Sequence, residues 1–381
     1  MRFLSIVTGT SSDGADASLI DLKGCGKATK FKIIKYTSFS YPEGLRRELL
    51  RVSSLERITA EEFSRVHWDL GRFLAGSVVG SFNKSEYDII AYSGYTVYHG
   101  PALGRRDYGT LQIGEASVIY ASTLKTVVYD FRTNDVAAGG LGAPLIALSD
   151  ALIFSEGTLT INIGGISNVT YIGEGRVMAF DTGPGNILIN LLTDYFYNEP
   201  YDKDGLHASN GRVIKGLINE LMQDEYFKQP PPKNTGREHF GLNYVRSRVL
   251  PYLGRYSRDD LIRTITRFTA ESIYDQVRRF INGPIREVII GGGGIRNPVL
   301  MGDLRELLGE LTPRVASFKD HGIDDLAREG LGFAIIANET LHLRVGNTEA
   351  TGGSPIILGK IIPGVDFMDI IERLRNDECS G

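Results

Sequence analysis

Apolar residues in this chain fall in short runs separated by glycine and aspartate, and the pattern occurs twice. Residues 3–7 are an apolar run, 17–22 follow a glycine/aspartate turn, and 31–36 alternate after another glycine turn. These read as three short strands in a meander. Helices are predicted over 43–52 and 60–82, the second with Phe63, Val66, Leu70, Phe73 and Leu74 on one face. Strands near 88–92 and 126–130 complete an α/β unit. A second meander follows at 158–163, 168–172 and 176–180, then helices near 187–197, 212–224 and 259–281. Ser257 with Asp260 makes a capping-box start for the last of these, and Leu261, Ile265, Phe268 and Ile273 share its face. A strand at 287–290, an Asn297-Pro298 helix start, a strand at 314–318 and a helix over 325–343 close the pattern. The predicted division is an N-terminal α/β domain over 1–130, completed by the C-terminal tail in one variant, and a second over 131–381.

Composition narrows the class. A chain of 381 residues exceeds what one hydrophobic core usually serves, which agrees with two domains. The apolar fraction of 42% and charged fraction of 23% are those of a globular protein. A formal net charge of -4 offers no basic field for nucleic acid, and no apolar run approaches a membrane span. Residues 1–7 read as a strand rather than a signal peptide. Two cysteines, Cys25 and Cys379, are too few for a disulfide framework, so a cytoplasmic protein with reduced thiols is expected. The 45 glycines are concentrated directly after apolar runs, where backbone can approach a ligand closely.

Three glycine turns stand out. The first, Gly9-Thr10-Ser11-Ser12-Asp13-Gly14, presents backbone N–H groups and hydroxyls suited to phosphate, and Asp13 supplies a carboxylate where a Mg²⁺ on those phosphates needs an oxygen ligand. The second, Gly164-Gly165-Ile166-Ser167-Asn168, occupies the matching place in the second half. Either alone reads equally as a hairpin turn. The third, Gly291-Gly292-Gly293-Gly294, lies between a strand and a capped helix, and it is not the Gly-x-x-x-x-Gly-Lys phosphate loop. In Phe180-Asp181-Thr182-Gly183-Pro184-Gly185-Asn186 a carboxylate ends a strand at a tight turn, suiting a general base as well as an ordinary turn former. Arg132 and Asp135, in the segment joining the halves, mix charges beside Gly139-Gly140; Arg132 offers a bidentate fork to a sugar oxygen or carboxylate. Glu329 is an acidic group flanked by small residues, and Thr235-Gly236-Arg237-Glu238-His239-Phe240 reads as an ordered loop.

Together and in order, these motifs resemble one family, the anhydro-N-acetylmuramic acid kinases and related levoglucosan kinases. The match includes the first two glycine turns, Thr96-Val97-Tyr98-His99, Leu111-Gln112-Ile113-Gly114, Asp130-Phe131-Arg132 with Asp135 to Gly140, the Asp181–Asn186 run, Thr235-Gly236-Arg237-Glu238 and Gly292-Gly293-Gly294. The resemblance implies a two-domain actin/hexokinase-like (ribonuclease H-like) kinase fold with an interdomain cleft. It implies ATP with Mg²⁺, and hydrolytic opening of a 1,6-anhydro sugar coupled to its phosphorylation. Asp181 matches the base that activates water. Gly9, Thr10, Ser11, Ser12, Gly14, Gly164, Gly165, Asn168, Gly292, Gly293 and Gly294 match the nucleotide side, Thr96, Arg132 and Asp135 the sugar side, and Asp13 and Glu329 positions near the metal. Ser93-Gly94-Tyr95-Thr96 departs from the family's His-Gly-Gln-Thr, and Gly241 from its Asn, so the sugar side differs more than the phosphate side. Other readings are a kinase for levoglucosan or an ordinary hexose, or a non-catalytic ATP-binding regulator. A homodimer is the default assembly.

Overall fold

The computed structural model describes residues 1–9, 13–54, 57–101, 109–173, 175–346 and 349–380. In chain order the first stretch contains β1 (Arg2–Thr8), β2 (Gly14–Lys23), β3 (Cys25–Gly26), β4 (Lys30–Ser40), α1 (Glu43–Ser53), α2 (Ala60–Phe73), β5 (Ile89–Tyr92), β6 (Tyr95–His99), β7 (Thr110–Ile113), α3 (Ala116–Thr123), β8 (Thr126–Tyr129), α4 (Thr133–Ala137) and α5 (Ile146–Ile153). The second stretch contains β9 (Thr158–Ile163), β10 (Ile166–Gly173), β11 (Arg176–Pro184), α6 (Ile187–Tyr197), α7 (Leu206–Asn210), α8 (Lys215–Leu221), α9 (Leu242–Tyr244), α10 (Arg258–Phe280), β12 (Glu287–Gly291), α11 (Pro298–Leu308) and β13 (Val315–Ser317). The chain then forms α12 (Arg328–Leu341), β14 (Lys360–Ile362), α13 (Phe367–Arg375) and β15 (Cys379–Ser380).

The chain divides into one compact unit of Met1–Ile153 with Leu326–Gly381, and another of Phe154–Asp325. The first boundary falls beyond residue 130 because α5 packs on α12 and stays with the first unit. The C-terminal segment returns there too, pairing β14 antiparallel to β8 and β15 parallel to β3.

Both units carry the same strand plan. In the first, β4-β2-β1 run antiparallel and β5 and β8 continue parallel to β1, with β14 at the edge. In the second, β11-β10-β9 run antiparallel and β12 and β13 continue parallel. This shared order is the duplicated sheet of the actin/hexokinase-like fold. Apolar alternation produces it: Leu4, Ile6, Ala17 and Leu19 face the core formed with Leu49, Val66 and Leu70 of α1 and α2. Leu159, Ile161, Val169 and Phe180 meet Ile273 and Val277 of α10. Each such side chain contributes roughly 1.5–3 kcal/mol on burial.

Caps set the helix starts. The Ser257 hydroxyl accepts the Asp260 N–H at 3.0 Å and the Asp260 carboxylate accepts the Ser257 N–H at 3.2 Å. The Asn297 side chain accepts from Val299 and Leu300 N–H at 3.1 and 3.2 Å. The helix expected over 60–82 is regular only to Phe73; residues 74–78 widen and 79–81 tighten, where Gly76 and Gly80 weaken the helical ladder. The expectation of two free thiols is corrected: Cys25 and Cys379 form a disulfide across 354 positions, because β15 returns to pair with β3. No helix among the described residues is long and apolar enough to cross a membrane.

Candidate active site

In the second unit, the β9–β10 turn is laced to the start of α6 mainly by backbone. Gly185 and Ile187 donate N–H to the Gly165 carbonyl at 2.9 and 3.1 Å, and Asn186 donates to Gly164 at 2.8 Å. The Asn186 side-chain amide adds a bond to the Ile163 carbonyl at 3.3 Å. Two glycines are sterically required here. A Cβ on Gly185 would lie 2.3 Å from the Gly164 oxygen, and one on Gly292, whose φ is +85°, would lie 2.7 Å from the Ile163 oxygen. Gly164, Gly165, Gly292, Gly293 and Gly294 thus gather with Asn186 around the end of β9, which β12 flanks in parallel.

Asp181 lies on β11 opposite Asn168 of β10, which itself faces Asn162 of β9. A bulge between Ser167 and Asn168 breaks the register beside it. The carboxylate is half-buried. Its Oδ2 accepts the Thr235 N–H at 2.9 Å, its own N–H donates to the Lys233 carbonyl at 3.2 Å, and its carbonyl accepts the Tyr226 hydroxyl at 2.6 Å. Segment 226–235 therefore pins both the main chain and the side chain of Asp181. Gly183, at φ +130°, lets the strand turn against Phe227 directly after it.

Lys233 was not foreseen from the sequence. It is 5% exposed, its ammonium donates to the Tyr226 carbonyl at 3.1 Å and to Gln276, and the rings of Tyr226 and Phe280 lie 4.5 and 5.0 Å away. Burial lowers its pKa to about 8; Asp275 and Asp181 pull it back up, and Arg279 lowers it further. A lysine directly after Pro230-Pro231-Pro232 is an unremarkable surface residue by pattern, so no sequence signal marked it.

In the first unit, Thr10, Ser11 and Ser12 lie outside the described residues. Asp13 is exposed, and its carbonyl accepts the Tyr41 N–H at 3.0 Å. Gly14 faces β4 so closely that a Cβ would sit 2.2 Å from the Phe39 oxygen. Glu329 is in the first turn of α12, which Gly330 allows to lie directly on Ser18 of β2. The surrounding protein pushes the Glu329 carboxyl above the usual carboxylate range, Arg132 and Arg328 pull it down, and Asp16 raises it; the side chain is nevertheless open to solvent.

The residues expected on the sugar side form a second group in this unit. Gln112 of β7 donates to the Thr96 hydroxyl oxygen at 3.2 Å and to Thr110 at 2.9 Å, and Thr110 meets His99 Nδ1 at 3.0 Å. Burial and then the Arg132 charge lower the His99 pKa to about 4, so its imidazole is neutral. Arg132 donates to the Gly142 carbonyl at 2.5 Å. Asp135 is fully buried, and its two oxygens accept the Gly142 N–H and the Thr351 hydroxyl, each at 2.7 Å. Its contact is thus with the loop carrying Gly142. The departing residues also face inward: the Ser93 hydroxyl accepts the Thr8 N–H at 3.2 Å, and Tyr95 is 1% exposed within the apolar core. His99 and Gln112 belong to quoted motifs, yet only the β6–β7 pairing makes them one network.

A family model for anhydro-N-acetylmuramic acid kinase matches residues 1–364. Proteins named anhydro-N-acetylmuramic acid kinase from Bacillus cereus (strain 03BB102) and Bacillus thuringiensis (strain Al Hakam) are each 36% identical over 378 residues, covering 95% of this chain and 99% and 98% of theirs. Among solved structures, the activator of the 2-hydroxyisocaproyl-CoA dehydratase from Clostridium difficile aligns over 88% of this chain and 94% of its own at 13% identity, with a TM-score of 0.44. A ROK hexokinase from Thermus thermophilus aligns over 88% and 97% at 13% identity, with a TM-score of 0.37. Likeness at that level says nothing of activity. Sequence identity over nearly the whole length does: the chain belongs to the anhydro-N-acetylmuramic acid kinase family.

Proposed function

We propose that this protein is an ATP-dependent anhydro-sugar kinase that opens a 1,6-anhydro ring with water and phosphorylates the released O6, with 1,6-anhydro-N-acetylmuramic acid as substrate. The observation that carries the reading is Asp181, a half-buried carboxylate held by Thr235, Lys233 and Tyr226 on the strand beside the laced glycine turns. Asp181 takes a proton from water as that water bonds to the anomeric carbon. The C1–O6 bond breaks, and O6 bonds to the γ-phosphorus of ATP as ADP leaves. One carboxylate thereby serves two bond changes, and the Thr235 N–H fixes the position of its Oδ2. In the second unit the backbone of Gly164, Gly165 and Gly292 to Gly294 suits phosphate contact, and in the first unit the small residues Gly9 and Gly14 suit it as well.

Asp13 and Glu329 would hold Mg²⁺. Both are exposed oxygen donors of the kind a hard cation takes. Mg²⁺, when bound, supplies neutralisation of charge on the phosphates. Thr96 and Arg132 would contact the sugar, Arg132 through its fork, while Asp135 would position the loop carrying Gly142.

The test is ADP release with Mg-ATP and a panel of 1,6-anhydro-N-acetylmuramic acid, levoglucosan, N-acetylglucosamine and glucose in heavy-oxygen water. Turnover of the first, with heavy oxygen at C1, is expected. Turnover of open-ring sugars alone overturns the reading, and ATP binding without turnover of any sugar points to a regulator.

A further inference from the structure

A second cluster of chemistry-bearing side chains sits in the first unit, where the C-terminal tail meets β3 and the end of α12. Cys25, Cys379 and His342 each offer one ligand atom there, all within 4.8 Å of one another. No catalytic or phosphate-binding role proposed above uses any of them.

The cysteines are brought together by main chain as well as by their bond. Cys25 and Cys379 are direct partners in the parallel β3–β15 pair, and the Cys25 N–H donates to the Glu378 carbonyl at 3.0 Å. Gly24, at φ +73°, sits so close to that carbonyl that a Cβ would lie 2.7 Å from it. Asn338 of α12 donates to the Gly24 carbonyl at 3.0 Å, and Glu339 accepts the Gly26 N–H at 2.9 Å. These contacts keep the two sulfurs adjacent when the disulfide is open. Cys25 is buried and Cys379 exposed, so solvent reaches the pair from one side.

His342 is presented in the tautomer that a metal requires. Its Nδ1 lies 2.8 Å from the Asn338 carbonyl, an acceptor only, so Nδ1 carries the proton and donates. A ligand histidine is commonly fixed by a backbone carbonyl on its other nitrogen in this way. Nε2 is the nitrogen left over, buried and without a hydrogen-bond partner among the described residues. It points at the Asp377 carboxylate, 3.4 Å away. The two sulfurs and the Asp377 carboxylate therefore surround the one ring nitrogen that Asn338 does not engage.

We propose that Cys25, Cys379 and His342, once the disulfide is reduced, form a binding site for one borderline-soft divalent cation such as Zn²⁺, with Asp377 or water as fourth ligand. Two sulfurs and an imidazole are a donor set that favours such an ion over Mg²⁺ or Ca²⁺. A dithiol reductant opens the bond: it becomes a disulfide while Cys25 and Cys379 gain two electrons and two protons. The incoming ion displaces both protons from the thiols. Disulfide and metal then become alternative clasps on the same C-terminal tail.

The experiment uses the full chain with zinc chloride alone. Wild-type protein, reduced anaerobically with a dithiol, freed of it and confirmed to hold two titratable thiols, competes with a chromogenic chelator for Zn²⁺. One ion per chain is expected, with binding at least tenfold weaker for Cys379→Ser and for His342→Ala, and weaker still for the oxidised protein. Co²⁺ in place of Zn²⁺ is expected to show a thiolate charge-transfer band and tetrahedral d–d absorption. Sugar-dependent ADP release by Cys379→Ser is expected to match wild type, which separates this site from the kinase reading and reports that the variant is folded. Uptake by reduced wild type no greater than by Cys379→Ser overturns the proposal and leaves His342 as an ion-pair partner of Asp377. A disulfide that resists the dithiol in the native protein overturns it as well.

Discussion

The two units share a strand plan but finish it differently. In the second, the β9–β10 turn is consumed by bonds from Gly185, Asn186 and Ile187, and the third strand carries an aspartate pinned on three sides. In the first, the corresponding β1–β2 turn carries an exposed Asp13, and the carboxylate at the start of α12 is also open to solvent. A fixed carboxylate suits proton transfer, which depends on hydrogen-bond geometry. Open carboxylates suit a hydrated cation, whose ligand shell includes water. On the roles proposed above, duplication of one sheet would serve two different electrostatic tasks.

The largest expected effect breaks the comparison at its catalytic end. Asp181→Asn keeps the shape and removes the base, so kcat/KM for the anhydro sugar should fall by about 10³-fold. ATP binding, measured by calorimetry, should persist; near-normal turnover would remove Asp181 from its role.

Gly185→Ala tests the lacing. Its Cβ would meet the Gly164 oxygen at 2.3 Å, so unfolding should be easier by roughly 2–3 kcal/mol, read from urea midpoints. Gly44→Ala, exposed in α1 of the first unit with nothing within 4 Å of a Cβ, is the control and should be neutral to stabilising by up to about 1 kcal/mol.

Lys233 gives a pH test of the pinning segment. Its folded pKa is about 8, below the ordinary lysine value. Between the two values the unfolded chain binds more protons, so stability rises with pH from about 8 upward. Wild type should gain about 2 kcal/mol relative to Lys233→Met between roughly pH 7.5 and 9.5. Parallel stability curves for the two proteins would contradict this.

The smallest effect sharpens the comparison in the first unit. Tyr95→Phe removes a hydroxyl lying 3.3 Å from Ser53 and 3.4 Å from the Leu49 carbonyl, at a cost of about 0.5–1 kcal/mol. The KM for the sugar should not change, since Tyr95 lies in the core. A changed KM would return this position to the sugar site.

Asp181 could be picked out as a candidate base because its signal is local: a strand end followed within five residues by Gly183, Pro184, Gly185 and Asn186. The duplicated meander was legible for the same reason, since alternation and glycine turns need only near neighbours. That Ser93 and Tyr95 are buried was not legible, because pattern cannot say which way a side chain faces at a strand end. Lys233 was illegible because its character comes from Tyr226, Gln276 and Phe280, which only the fold assembles around it.

By itself, the sequence determined the two meanders and the long helices, though not β6, β7, α3, α5, β14, α13 or β15, together with the caps at Ser257 and Asn297, the candidate base and the family. Each depends on backbone preferences or on motifs contiguous in the chain. Only the tertiary structure decided that the C-terminal segment closes the first unit, that Asp135 is spent on Gly142 and Thr351, and that Cys25 meets Cys379 beside His342. Those outcomes depend on burial and on pairings between residues far apart in the chain. Neither is encoded in the spacing of the residues concerned.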